Sequence, residues 1–94
     1  MSSPKILLLD IGNTRIKWGV LFKGEIVETG AVTISEAKSS GFSSLIRSIP
    51  KDIKKALASN VSSINISTRL SAAIGASYGC DIEFVNRGLS SYGI

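Results

Sequence analysis

The chain has 94 residues, and its eleven Lys and Arg residues against seven Asp and Glu give a formal net charge of +4. This length predicts one compact domain or part of a larger one, and a hydrophobic share of 44% excludes the polar composition of a disordered chain. The absence of histidine excludes a Ser-His-Asp triad and a histidine-ligated metal within this chain. The single cysteine, Cys80, cannot form an intramolecular disulfide and indicates a reducing compartment, so we expect a cytoplasmic protein.

Neither a membrane nor a nucleic acid is an expected partner. The apolar run over residues 6–9 stops at Asp10, far short of the ~20 residues of a membrane span. The basic residues are dispersed, and the one cluster, over residues 51–55, is interrupted by Asp52. We therefore interpret this cluster as solvated surface, with a nucleic-acid patch as the less favoured alternative.

The first third of the chain predicts three antiparallel strands. Residues 5–10 form an almost unbroken apolar run, as in a strand that is buried on both faces. Residues 12–14 are Gly-Asn-Thr, a turn in which Gly and Asn tolerate positive φ. Residues 15–22 alternate with period two, and after a tight reversal residues 25–34 read as a third strand, weakened in its middle by Gly30.

Helices and strands alternate in the rest of the chain. The spacing of apolar residues predicts a helix within residues 35–49 that runs up to Pro50, while Gly41 and the serine cluster leave its start open. A second helix is predicted from residue 66 to residue 75 or 79. Residues 54–61 could extend a helix, but we favour a short buried strand followed by a turn at residues 62–63. Residues 82–85 predict a last strand, and residues 86–94 show no packing pattern.

This order of elements predicts the fold class. Three strands followed by helix-strand-helix-strand indicate an α/β protein with a mixed sheet, which starts as an antiparallel three-strand meander and continues with parallel crossovers. No internal repeat or linker divides the chain, so we expect one folding unit or most of one.

The segment that carries recognisable chemistry runs from the end of the first strand into the second. It contains a carboxylate, a glycine turn, two short polar side chains and two cations on one strand face. The turn N–H groups form a donor cluster that suits phosphate oxygens, and a carboxylate at the strand end is a ligand that Mg²⁺ prefers. We therefore predict a site for ATP phosphates and Mg²⁺, with Asp10 as the metal ligand. The predicted ATP-binding residues are Asp10, Ile11, Gly12, Asn13, Thr14, Arg15, Ile16 and Lys17.

A simpler interpretation of the same segment is an ordinary hairpin, in which Asp10 and Asn13 hydrogen-bond to the local backbone. Its placement between a wholly apolar strand and a strand that opens with two cations argues against that interpretation. The P-loop pattern G-x-x-x-x-G-K-[ST] and the dinucleotide pattern G-x-G-x-x-G are absent from the chain. A nucleotide site here must therefore be of another kind.

The run Asp-Ile-Gly-Asn-Thr-Arg-Ile-Lys-Trp-Gly over residues 10–19 closely resembles the first phosphate motif of the type III pantothenate kinases. That family belongs to the acetate and sugar kinase/Hsp70/actin superfamily. The resemblance implies a ribonuclease-H-like (actin-like ATPase) domain, ATP with Mg²⁺, and a monovalent cation such as K⁺ or NH₄⁺. It also implies a homodimer that phosphorylates pantothenate in the first step of coenzyme A biosynthesis.

The chain is shorter than the roughly two domains that the resemblance implies. We therefore interpret residues 1–94 as the N-terminal portion of the first ribonuclease-H-like domain, with the remainder of the enzyme absent. The Gly-x-Asp-Arg motif that would supply the general-base aspartate is expected beyond Ile94, so no catalytic residue is assigned and the fragment alone should be inactive.

Two other functions stay open at this stage. One is a non-catalytic regulatory or nucleic-acid-associated protein that retains the phosphate turn, with the basic excess serving weak binding. The other is a different kinase of the same superfamily, acting on a sugar or a carboxylate. The Gly-Asn-Thr turn favours the pantothenate kinases over that second possibility.

Overall fold

A computed structural model describes residues 3–60 and 64–85 of the chain. These residues form five strands and three helices, so the α/β class is confirmed. In chain order the elements are β1 (Lys5–Ile11), β2 (Arg15–Phe22), β3 (Glu25–Thr33), α1 (Ile34–Ser39), α2 (Ser43–Ser48), β4 (Ile53–Asn60), α3 (Ile64–Tyr78) and β5 (Ile82–Val85). The predicted turn at residues 62–63 and the predicted unpatterned tail at residues 86–94 lie outside the described residues.

All five strands belong to one mixed sheet with the order β3-β2-β1-β4-β5. The pairs β1–β2 and β2–β3 are antiparallel, which confirms the predicted three-strand meander. The pairs β1–β4 and β4–β5 are parallel, which confirms the predicted crossovers. Because β1 is central, its apolar run is buried on both sides, and Leu7, Leu8 and Leu9 are all fully buried.

Helices cover one face of this sheet. The main apolar cluster combines inward-facing residues of β1 and β2 with residues of all three helices and of β4. Helix α3 contributes three residues that are spaced four apart, and so lie on one face of the helix: Ile66, Leu70 and Ile74. The sheet therefore packs against helices through its Leu7–Leu9–Ile11 face, and Asp10 lies on the other face because side chains alternate along a strand.

The turn between β2 and β3 is a tight reversal at Lys23 and Gly24. Both residues have positive φ, of 52° and 79° respectively, which is the geometry of a two-residue hairpin whose twist matches the strands. The β2–β3 ladder then shifts register between Val20 and Leu21, so that Val27 is an extra residue and its side chain is 54% exposed.

Gly30 has a packing role that the sequence does not reveal. It lies directly opposite Trp18 in the β2–β3 ladder, and a Cβ atom built on Gly30 would stand 2.5 Å from the indole ring. Trp18 is only 4% exposed, since its ring lies over the space that the missing side chain leaves. The glycine that was expected to weaken the strand therefore makes room for the largest side chain of the core.

Residues 35–49 form two short helices where one was predicted, and α2 is the helix that runs up to Pro50. Gly41 and Phe42 both have positive φ, of 64° and 71°, which no continuous α-helix accepts. The hydroxyl of Ser40 accepts a hydrogen bond from the Ser44 N–H at 3.1 Å, in the manner of a cap. The break lets Phe42 turn inward, where it is 1% exposed, and the Arg69 guanidinium lies 5.4 Å from its ring centroid.

The later elements agree closely with their predictions. The favoured strand over residues 54–61 is confirmed as β4, and the predicted second helix is confirmed as α3, although it begins two residues earlier than expected. Gly79 follows α3 with φ of 68°, and its N–H donates to the Gly75 carbonyl at 2.9 Å, so it ends the helix as a left-handed glycine does. No helix among the described residues is long and apolar enough to cross a bilayer.

Candidate phosphate-binding turn

The turn between β1 and β2 is closed by one backbone hydrogen bond. The Gly12 N–H donates to the Arg15 carbonyl at 3.0 Å, so that Asn13 and Thr14 form a two-residue loop. The predicted turn is confirmed, although neither Gly12 nor Asn13 has the positive φ that these residue types tolerate. A Cβ atom on Gly12 would stand 3.3 Å from the Arg15 carbonyl oxygen, closer than nine in ten real contacts of this kind, so the carbonyl would have to move by a few tenths of an ångström.

This hydrogen bond changes the set of donors that the turn offers. The predicted cluster used three successive N–H groups, but the Gly12 N–H already donates within the hairpin. Within residues 3–60 and 64–85, no backbone carbonyl accepts from the N–H groups of Asn13 or Thr14, and both residues are exposed. Two amides and two short polar side chains are therefore left to face an anion.

A row of polar side chains crosses the sheet beside the turn. Asp10 is the direct partner of Lys17 in the antiparallel β1–β2 ladder and of Ser59 in the parallel β1–β4 ladder. Because directly paired residues point to the same face, the three side chains share the face opposite the main core. Lys17 is exposed, Asp10 is half-buried, and Ser59 is buried. The row places a cation, a carboxylate and a hydroxyl side by side.

Lys17 is not neutralised by its neighbour. Among the described residues the one ion pair joins Lys5 to Asp52, at 3.0 Å and at the opposite end of β1. That contact, with Lys5 as hydrogen-bond donor, lowers the pKa of the Asp52 carboxyl. Within the described residues, the ammonium of Lys17 and the carboxylate of Asp10 therefore both lack an ion-pair partner.

Arg15 lies at the start of β2, on the same strand face as Lys17. It pairs with Thr33 in the β2–β3 ladder and lines an open cleft of 280 Å³ together with Thr33 and Glu36. Beside this cleft, the N–H of Ile34, the first residue of α1, donates a hydrogen bond to the Thr14 carbonyl at 2.9 Å. The beginning of α1 is thus tied directly to the turn.

Ile11 and Ile16 were predicted as part of the same site, and their side chains are fully buried in the main core. They are direct partners in the β1–β2 ladder, immediately before and after the turn. Their side chains anchor both arms of the hairpin, so the structure leaves them only their backbone atoms with which to contact a nucleotide.

The residues around Asp10 fit a Mg²⁺ ion that takes only one ligand from the protein. No group of three or more Asp, Glu, His or Cys side chains that could hold a metal occurs in the described part of the chain. A single carboxylate near the exposed amides of the turn matches a Mg²⁺ ion that keeps most of its ligands as water and phosphate oxygens. The donor set excludes a metal cage built from described side chains alone.

Two groups near the end of α3 lie away from the turn and stay outside the site. Burial raises the pKa of the Cys80 thiol and of the Tyr78 hydroxyl, whose O–H donates to the Ile46 carbonyl at 3.5 Å. A thiol with a raised pKa is mostly protonated at neutral pH and is a poor nucleophile. These groups belong to the packing of α3 against α2.

Ser59 is the residue of this region that sequence reasoning missed. The prediction of β4 as a buried strand was right, but it did not extend to the register that pairs Ser59 with Asp10. A signal was available, since ligands gather at the carboxyl ends of parallel strands, and β1 and β4 both carry polar residues near those ends. Only the pairing of β4 directly with β1 makes the two ends adjacent.

Comparison with protein families gives one match over nearly the whole chain. The model of the family described as type III pantothenate kinase matches residues 6–94, a range that includes the turn and all five strands except the first residue of β1. No sequence among curated proteins matches this chain.

Two solved structures with a similar fold are of longer proteins that are named as kinases. A Listeria monocytogenes protein to which N-acetylmannosamine kinase activity is attributed superposes with a TM-score of 0.59 at 20% identity, covering 85% of this chain and 34% of its own. The inorganic polyphosphate/ATP-glucomannokinase from Arthrobacter sp. gives 0.53 at 20% identity, covering 88% and 44%. The chain thus spans less than half the length of these proteins, and the likeness confirms the ribonuclease-H-like, actin-like ATPase fold.

Proposed function

Because this chain belongs to the family of type III pantothenate kinases, we propose that it supplies the ATP-phosphate-binding part of an enzyme that phosphorylates pantothenate. Family membership gives a kinase with a nucleotide-binding role. The proposal adds the identity of the phosphate acceptor, pantothenate. It also places the reaction at the start of coenzyme A biosynthesis. A cytoplasmic location, a homodimer and a K⁺ or NH₄⁺ requirement are part of the same proposal.

The observation that carries the proposal is the arrangement at the β1–β2 turn. The amides of Asn13 and Thr14 lie in the turn that joins the strand of Asp10 to the strand of Lys17. Neither of these two charged residues forms an ion pair among the described residues. Donors and a cation around one anion position are what phosphoryl transfer needs, since its catalysis rests on positioning and on charge stabilisation.

Each residue has a separate role in this proposal. The Asn13 and Thr14 amides hold phosphate oxygens, and Lys17 offsets the charge that develops on the transferred group. Asp10 would hold Mg²⁺ directly or through water, and the bound ion would supply further neutralisation of the phosphate charge. Arg15 lies on the same face and is a second cation within the same region of the sheet.

The general base is not among the residues assigned here, and we propose that it lies in a part of the enzyme outside residues 1–94. The lengths of the similar kinases support this, because the chain covers 34% and 44% of them. On this proposal residues 1–94 form the N-terminal portion of the first domain and do not catalyse the reaction alone.

The proposal is tested in the full-length kinase that carries this sequence. Loss of one transition-state cation typically costs about 10²–10³-fold in turnover, so we expect Lys17→Ala and Asp10→Asn to lower pantothenate phosphorylation by that factor. Lys51→Ala, an exposed lysine away from the turn, is the matched control and should retain wild-type turnover.

Two results would contradict this assignment. Wild-type turnover in both Lys17→Ala and Asp10→Asn would show that the turn is not the phosphate-binding site. Phosphorylation of a hexose in place of pantothenate would assign the acceptor to another kinase class of the same fold, while leaving the nucleotide site intact.

A further inference from the structure

Ser59 is the one buried polar residue among the described residues of the protein. Its side chain is 5% exposed, whereas every other buried side chain there is apolar or a glycine. A buried hydroxyl without a hydrogen-bond partner costs free energy, so its presence requires an explanation. In the part of the chain that the structure describes, no side chain or backbone group forms a hydrogen bond with the Ser59 hydroxyl.

The position of Ser59 in the sheet indicates what that partner is. Ser59 and Asp10 are direct partners in the parallel β1–β4 ladder, on adjacent strands about 4.8 Å apart. Both side chains point to the face that also carries Lys17. Side chains on directly paired positions of neighbouring strands are close enough for polar groups to form hydrogen bonds.

We propose that Ser59 is a positioning residue for Asp10. Its hydroxyl donates a hydrogen bond to one carboxylate oxygen of Asp10 when Mg²⁺ and nucleotide are bound, so that the other oxygen is held toward the metal. Lys17 is the ladder partner of Asp10 on the other neighbouring strand, so Asp10 lies between Lys17 and Ser59 in the same row. This inference rests on the proposed function, in which Asp10 is the metal ligand.

Outer hydrogen bonds to a ligating carboxylate commonly govern metal affinity, and their loss costs about 10–100-fold in metal affinity or activity. Ser59 acts through Asp10 and does not touch the substrate. A purely structural role for the small side chain would instead affect folding and leave the metal dependence unchanged.

The test uses the full-length kinase and measures metal binding without turnover. Mn²⁺ replaces Mg²⁺, a non-hydrolysable ATP analogue is present, and bound Mn²⁺ is counted by electron paramagnetic resonance. We expect Ser59→Ala to weaken Mn²⁺ binding about 10-fold. Ser59→Cys fills the same space with a weak donor and should weaken Mn²⁺ binding to a similar degree. Ser59→Thr keeps the hydroxyl and should retain wild-type Mn²⁺ affinity.

Ser71→Ala removes a half-buried hydroxyl from α3 and is the matched control, with wild-type Mn²⁺ affinity expected. Wild-type affinity in both Ser59→Ala and Ser59→Cys would overturn the role of Ser59. Asp10→Asn separates this failure from that of the proposed function: if Asp10→Asn also binds Mn²⁺ as tightly as wild type, then Asp10 is not the ligand. If Asp10→Asn alone is impaired, only the inference about Ser59 fails.

Discussion

At the scale of single residues, two glycines of the three-strand meander have close contacts without unusual backbone angles. Gly12 approaches the Arg15 carbonyl, and Gly30 makes room for the Trp18 indole. The sequence predicted Gly12 as part of a turn. It could not show the role of Gly30, since that depends on the partner across the strand.

This packing leads to a prediction for Gly30→Ala. The added Cβ would lie 2.5 Å from the indole, so the ring or the strand must shift. Overpacking of a core typically costs about 1–3 kcal/mol in the free energy of unfolding, which urea denaturation measures. The matched control is Thr29→Ala on the neighbouring exposed position of β3.

A double-mutant cycle identifies the cause of that loss. In a Trp18→Leu background the clash is absent, so Gly30→Ala should cost much less than in the wild type. An equal cost in both backgrounds would show that the indole is not responsible and that the explanation for Gly30 is wrong.

At the scale of elements, prediction succeeded where one local pattern dominated and failed where polar side chains competed with the backbone. The strands of the meander follow directly from apolar runs and alternation. The helix predicted over residues 35–49 had apolar residues at helical spacing, but serine hydroxyls and Gly41 favour a break there. Burial of Phe42 in the core then offsets its unfavourable left-handed conformation.

The end of helix α3 can be tested by replacing glycine with alanine at two positions, one inside the helix and one just after it. Gly75 lies inside the helix, and a Cβ atom there would meet nothing closer than 3.9 Å. Gly75→Ala should therefore raise the free energy of unfolding by about 0.5–1 kcal/mol, because alanine loses less conformational entropy.

Gly79→Ala should have the opposite effect. Gly79 has φ of 68°, and the left-handed conformation costs an ordinary L-residue about 1–2 kcal/mol. Chemical denaturation of the two variants beside the wild type measures both changes. A stabilising Gly79→Ala would show that the helix does not end in the left-handed conformation described here.

At the scale of the whole molecule, the sheet order determines which residues can act together. The meander places Lys17 beside Asp10, and this pairing follows from a short hairpin, which the sequence predicts well. The pairing of Asp10 with Ser59 depends on β4 returning to lie beside β1 after two helices. Such long-range register is not encoded in any local pattern. For this reason the turn was predicted from the sequence, whereas the place of Ser59 beside Asp10 was not.

The fold and the family have different consequences for function. Similar structures at 20% identity include kinases named for two different sugars, so the fold alone does not select an acceptor. The motif over residues 10–19 and the family match over residues 6–94 are what favour pantothenate. A basic excess of +4 adds no support for nucleic acid, because a net charge alone does not define a binding site.

The central claim is that the β1–β2 turn binds the phosphates of ATP, and nuclear magnetic resonance of the ¹⁵N-labelled full-length kinase tests it most directly. Titration with ATP and Mg²⁺ should shift the amide signals of Asn13, Thr14 and Lys17, and Asp10→Asn should weaken that response when Mg²⁺ is present. Unchanged signals at these three residues, in a sample where ATP shifts amides elsewhere, would show that the nucleotide binds at another place.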